Sequence, residues 1–149
     1  MVYGFDDEVK KEETGAAENG KAVSMDESKK RKPFAYWTVG GREYRMKLTT
    51  AAICALEEKY KRNLLEVISG GMPPLAMMLT IAQAAMKTWE HGIKYKDIQN
   101  LFDRYCEEGG TQLTFMTDVL MEIYSVSGFF SEDQQTAMDE KLEEVKELI

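Results

Sequence analysis

The segment Pro73-Pro74-Leu75-Ala76-Met77-Met78-Leu79-Thr80-Ile81-Ala82-Gln83-Ala84-Ala85-Met86-Lys87-Thr88-Trp89-Glu90 most constrains what this chain can fold into. Its prolines suit a first helical turn, and Gly92 ends the helix. In between, the side chains are apolar on most sides. A helix apolar nearly all round is either the buried centre of a domain or a rod that meets partners on more than one face. The chain has 149 residues, close to one ordinary domain, so a single compact core is expected.

Upstream, two strand-like runs flank Gly40-Gly41, and glycines accept the positive φ angles of a two-residue hairpin turn. With that turn, Val39 pairs with Arg42, Trp37 with Tyr44 and Ala35 with Met46. Trp37, Tyr44, Met46 and Leu48 then share one face, while Glu43, Arg45 and Lys47 point to solvent. A lone hairpin is marginal in water, so its apolar face must lie against something.

From Leu48 the apolar period becomes helical. Thr49 or Thr50 caps a helix with Ile53, Leu56 and Tyr60 on its stripe, and Asn63 either takes a left-handed backbone or caps a short helix, Leu64 to Ser69. Beyond the apolar segment, Asp97 to Glu108 carries Ile98, Leu101, Phe102 and Tyr105. A further helix from about Gln112 to Ser127 carries Leu113, Met116, Leu120, Ile123 and Tyr124. Ser131-Glu132-Asp133-Gln134 spells a capping box for a last helix whose Met138, Leu142, Val145 and Ile149 form a narrow stripe. That stripe suits one groove or a two-helix seam, not a central core helix.

The predicted fold is mainly α (α+β). A disordered charged arm (1–32) precedes a β-hairpin packed on a small multi-helix domain (33–130), and an amphipathic acidic helix (131–149) closes the chain. The net charge of -7 is unevenly spread. Residues 1–32 hold eight acids and seven bases, residues 33–130 eleven acids and ten bases, and residues 131–149 seven acids against Lys141 and Lys146. The acidity therefore belongs to the last helix, and the near-neutral middle offers no basic helical stripe for phosphate backbones. No apolar run approaches the roughly 20 residues of a membrane helix, and the N-terminus lacks a signal pattern, so a soluble cytoplasmic protein is expected.

The residues give little support to an enzyme. His91 is the only histidine, it precedes Gly92, and it reads as a solvent-facing helix-end residue rather than a metal ligand or half of a dyad. Gly70-Gly71 and Gly109-Gly110 lack the spacing of a phosphate loop and read as helix stops. The pairs Glu57-Glu58, Glu107-Glu108 and Glu143-Glu144 point about 100° apart on a helix and cannot converge on a substrate. Cys54 and Cys106 lack the spacing of a zinc or redox motif and are expected as buried reduced thiols. No catalytic, metal or cofactor site is therefore predicted. Ten methionines stand out, among them Met77, Met78, Met86, Met116, Met121 and Met138. Unbranched thioethers fill irregular cores or adapt to irregular partners.

The order of features then resembles the tail assembly chaperones of long-tailed bacteriophages and prophages. Gly40-Gly41-Arg42-Glu43-Tyr44-Arg45-Met46-Lys47-Leu48-Thr49 leads directly into helices carrying Leu48-Thr49, Leu56-Glu57 and Asn63-Leu64 at that family's positions. The similarity runs from residue 34 to about 130, through Ile98-Gln99-Asn100-Leu101-Phe102-Asp103-Arg104-Tyr105. The long charged arm over 1–32 departs from the pattern. The resemblance implies a non-enzymatic protein that binds the tape measure protein and helps recruit tail tube subunits. It further implies action in the cytoplasm of the bacterial host, absence from the mature virion, short and frameshift-extended forms, and a homo-oligomer around the client.

A tape measure protein is long, helical and apolar, so its chaperone should offer grooves lined by flexible apolar residues. The candidate partner-binding residues are Met77, Met78, Ile81, Trp89, Leu142, Val145 and Ile149. The alternative is a small helical regulatory or DNA-associated protein, with Arg31, Lys32, Arg42, Arg45 and Lys47 as its basic face.

Overall fold

The structure, a computed structural model, describes residues 32–148. The arm expected over 1–32 thus lies, except for Lys32, outside the described residues, as does Ile149.

Strands β1 (Ala35–Val39) and β2 (Arg42–Met46) pair antiparallel in the expected register, Ala35 with Met46, Trp37 with Tyr44 and Val39 with Arg42. The turn works because Gly40 (φ 61°) and Gly41 (φ 79°) both take the left-handed backbone that a primed hairpin turn requires. Alternation then delivers Ala35, Trp37, Val39, Tyr44, Met46 and Leu48 to one buried face. The Trp37 ring meets Phe115 edge-on at 5.1 Å and Tyr105 at 5.6 Å, and Phe102 meets Phe115 at 5.3 Å. Trp37 Nε1 is buried with no hydrogen-bond partner among the described residues, so the tryptophan is held by packing alone.

Helix α1 (Thr50–Tyr60) starts where the Thr49 hydroxyl accepts from the Ala52 amide at 3.1 Å. It ends on Lys61, which has the left-handed backbone (φ 54°). Asn63 therefore takes the second of its two predicted roles, capping α2 (Leu64–Ser69) by accepting from Leu65 N at 2.8 Å. Helix α3 (Leu75–Met86) is the centre of the molecule, with Met78, Leu79, Ile81, Ala82, Ala84, Ala85 and Met86 buried. Lys47 N donates to the Ala85 carbonyl at 3.0 Å, stitching the end of the hairpin to the last turn of α3.

Helix α3 stops at Met86 rather than running toward Gly92. The next residues turn back as Glu90 N donates to Met86 O at 2.8 Å, and the Trp89 ring lies edge-on to Phe34 at 5.0 Å. His91 is exposed within the turn that follows. Helix α4 (Tyr95–Glu107) begins two residues earlier than its charge pattern suggested, because the Asp97 carboxylate accepts from Lys94 N at 2.8 Å and caps the end from inside.

Helix α5 is a continuous rod of three pieces: Gln112–Thr114, a π-helical segment Phe115–Leu120, and Met121–Val126. Within the wide turn, Met121 N donates to the Met116 carbonyl five residues back. The longer repeat changes which residues face inward. A strict 3.6-residue stripe points to Leu113 and Met116, whereas the structure buries Phe115, Thr117 and Val119 and leaves the former pair half-buried. Leu120, Ile123 and Tyr124 are buried as predicted.

Helix α6 (Glu132–Leu148) opens with the predicted capping box. Ser131 Oγ accepts from Gln134 N at 3.2 Å, and Gln134 Oε1 accepts from Ser131 N at 2.9 Å. The protein is thus a β-hairpin followed by six helices, an α+β fold built around α3. One expectation fails: Cys54 and Cys106 are both exposed. Cys54 lies on the face of α1 opposite Leu56, and Cys106 sits in the last turn of α4 beside exposed Glu107 and Glu108.

Candidate partner-binding groove

The local sequence of α2 leaves it with more apolar residues than one face can bury. Leu64 and Val67 turn inward, while Leu65 is 39% exposed and Ile68 half-buried on the outer side. Two bonds hold the helix in place. Glu57 accepts from Leu64 N at 2.9 Å, and the buried Tyr124 hydroxyl donates to the Leu64 carbonyl at 2.8 Å, tying α2 to α5. Burial, and secondarily the nearby Glu57 carboxylate, hold the Tyr124 hydroxyl far above the ordinary tyrosine range.

Between α2 and α5 runs an apolar groove. Leu65 and Ile68 form one wall, Met116, Met121 and Phe130 the floor and far side, and α6 lies over it with Met138, Leu142 and Val145 facing in. About 300 Å³ of space remains between these surfaces. Helix α6 is otherwise held by polar contacts at the rim. Gln135 Oε1 accepts from the Ser125 hydroxyl at 2.7 Å, and Lys146 pairs with Asp118 at 3.4 Å, each about half exposed. Half-burying three apolar side chains is worth roughly 2–4 kcal/mol before any ordering cost, and a surface ion pair adds little.

A second, more open cleft of about 800 Å³ lies at the hairpin tip, against the 89–93 turn and α4. Its charged groups are mutually engaged. Arg42 pairs with Glu90 at 2.6 Å and lies over the Tyr44 ring, and Arg104 pairs with Glu108 at 3.0 Å. Both Glu108 oxygens accept from Gly40 N at 3.1 Å, and this bond, followed by that from Arg104, pulls the carboxyl below its usual range. Arg42 and Glu108 thus fix the hairpin to the 89–93 turn and to the end of α4.

The seven predicted contact residues do not form one site. Leu142 and Val145 meet in the groove. Trp89 lines the second cleft, with Arg45 5.1 Å above its ring. Met77 is half-buried on α3, and Ile149 lies outside the described residues. Met78 and Ile81 are fully buried and offer no surface to a partner in this conformation, because the all-round apolar face of α3 is consumed by its own domain. Sequence reading missed Leu65, Ile68 and Phe130. The surplus of apolar residues in Leu64-Leu65-Glu66-Val67-Ile68 was the available signal, and Met116, Met121 and Met138 had already stood out as adaptable. Among the described residues no cluster of three or more His, Cys, Asp or Glu could hold a metal ion, and no helix is long and apolar enough to cross a membrane.

Residues 31–148 match the model of a family described as a family of unknown function, DUF6096. The chain belongs to this family. The DUF6096 span covers the hairpin, all six helices and both walls of the groove, and leaves out residues 1–30 of the charged arm. No curated protein and no solved structure matches the chain.

Proposed function

We propose that this protein is a non-enzymatic tail assembly chaperone of a bacteriophage or prophage. It binds the tape measure protein in the cytoplasm of the bacterial host and helps recruit tail tube subunits, as a homo-oligomer around its client, without entering the mature virion. The observation that carries this reading is the methionine-lined groove of α2 and α5, in which an amphipathic helix already lies. Flexible thioethers over a shallow apolar floor suit many related helical segments better than one fixed ligand, as a long helical client demands. The likeness of residues 34 to about 130 to tail assembly chaperones supplies the biological setting.

Of the five basic residues that a DNA-associated protein would use, Arg31 lies outside the described residues and three of the other four are engaged within the domain. Lys32 pairs with Glu122, Arg42 with Glu90, and Arg45 covers the Phe34 and Trp89 rings. Co-expression with a tape measure fragment tests the proposal. The fragment should move into the soluble fraction and co-purify with the chaperone, and a fragment equally insoluble with and without it overturns the reading.

A further inference from the structure

We infer that α6 is a self-supplied, replaceable occupant of the groove. The proper partner is an amphipathic helix with two bulky apolar side chains about one turn apart and a basic residue placed to meet Asp118. This inference rests on reading the groove as the client's seat, and adds what the client must look like and what it has to displace.

Three features of the dock lead there. The first is chemical: the groove already accepts a helix, through Met138, Leu142 and Val145 at helical spacing, with Lys146 set against Asp118. The second is misfit. The groove keeps roughly 300 Å³ open alongside α6, about twice the roughly 150 Å³ cavity that takes up one benzene ring, so two aromatic or long aliphatic side chains would occupy what α6 leaves open. Leu65, in the groove wall, also stays 39% exposed with α6 in place.

The third is attachment. Helix α6 follows α5 through Ser127–Ser131, where Gly128 has the left-handed backbone (φ 88°), and its ties to α5 through Gln135 with the Ser125 hydroxyl and Lys146 with Asp118 lie at the rim of the groove. A helix tethered this way competes with any incoming helix and lowers its apparent affinity by the fraction of time the groove stands open. It also keeps the methionine floor covered when no client is present.

A fluorescent peptide spanning residues 131–149 serves as the probe, in its native sequence and with Val145→Phe to fill the gap. Binding to the full chain is read by anisotropy. Leu142→Asp in the chain should eject its own α6 and tighten binding of both peptides about tenfold or more relative to the unaltered chain. The Val145→Phe peptide should bind more tightly than the native one, and Ile68→Asp in the groove wall should abolish both. Should Leu142→Asp fail to fold, Lys146→Glu loosens α6 through repulsion by Asp118 and must give the same ordering. Equal affinity for the unaltered and α6-loosened chains, a native peptide that binds as well as Val145→Phe, or indifference to Ile68→Asp overturns the inference. Failure here with a solubilised tape measure fragment leaves the chaperone reading standing. Peptide exchange with an insoluble fragment leaves the groove and its latch but removes the client.

Discussion

Replacing Tyr124 with Phe removes one oxygen and should produce two stability curves that cross. At neutral pH the buried hydroxyl donates to the Leu64 carbonyl at 2.8 Å, and its loss should cost about 1–1.5 kcal/mol, since a buried acceptor loses its partner. Alkali reverses the order. Folded Tyr124 holds its proton more tightly than the ordinary value of 10.0, so above that pH the unfolded chain ionises first. Stability that is fully present below pH 10 is then lost as pH rises, at up to about 1.4 kcal/mol per pH unit for this one proton. Tyr124→Phe has no such proton, and the other tyrosines and lysines titrate alike in both chains. The difference should therefore vanish near pH 11, with the variant the more stable beyond it. Urea denaturation followed by circular dichroism at pH 7, 9, 10, 10.5 and 11 measures it. A gap that stays constant to pH 11, or a variant as stable as the parent at pH 7, refutes the buried, proton-holding hydroxyl.

Two further outcomes concern the end of α4. A Cβ at Gly110 would run into the Tyr105 ring, which cannot swing aside while its hydroxyl bonds Thr114 Oγ1 at 2.7 Å. Gly110→Ala should thus cost about 1–3 kcal/mol, seen as a lower thermal midpoint, and an unchanged midpoint would show that the ring is free to move. Glu108, held below its ordinary 4.5, adds stability above that pH that is lost as pH falls through its folded value. Glu108→Ala should flatten stability against pH in that acid range and, by removing the acceptor, speed hydrogen exchange at the Gly40 amide, and an exchange rate equal to the parent's would contradict the bond.

How much of this was legible in the chain differs by element, for physical reasons. The hairpin register could be read to the residue because Gly40-Gly41 fixes the turn and strand parity fixes every pair after it. The burial of α3 was legible for a similar reason, since a helix apolar on all sides has few places to go. The inward face of α5 was not, because one wide turn moves Phe115 and Val119 to the core without leaving a mark in composition. The exposure of Cys54 follows from its position opposite Leu56, which a general preference of cysteine for burial overrode. The groove was half legible. Met116, Met121 and Met138 drew attention singly, and Leu142 and Val145 were named as a stripe. Only the packing of α2 against α5, through Tyr124 and Leu64, puts them on opposing surfaces.

The wide turn in α5 has a consequence for how the chain can change. The two ends of the rod answer to different neighbours, Phe115 to the rings of Trp37 and Phe102, and Tyr124 to the Leu64 carbonyl. The same residues wound as a plain α-helix would turn the second end by about 100° against the first, since the wide turn takes up one residue more than the α repeat. Tyr124 would leave Leu64, and Met121 would leave the groove. The wide turn thus absorbs one residue and keeps each half of the helix facing its own neighbours. Deleting one residue between Phe115 and Leu120 can therefore be absorbed by a return to plain α pitch, whereas a substitution that closes the wide turn at constant length acts at a distance, on the surface to which a partner would bind.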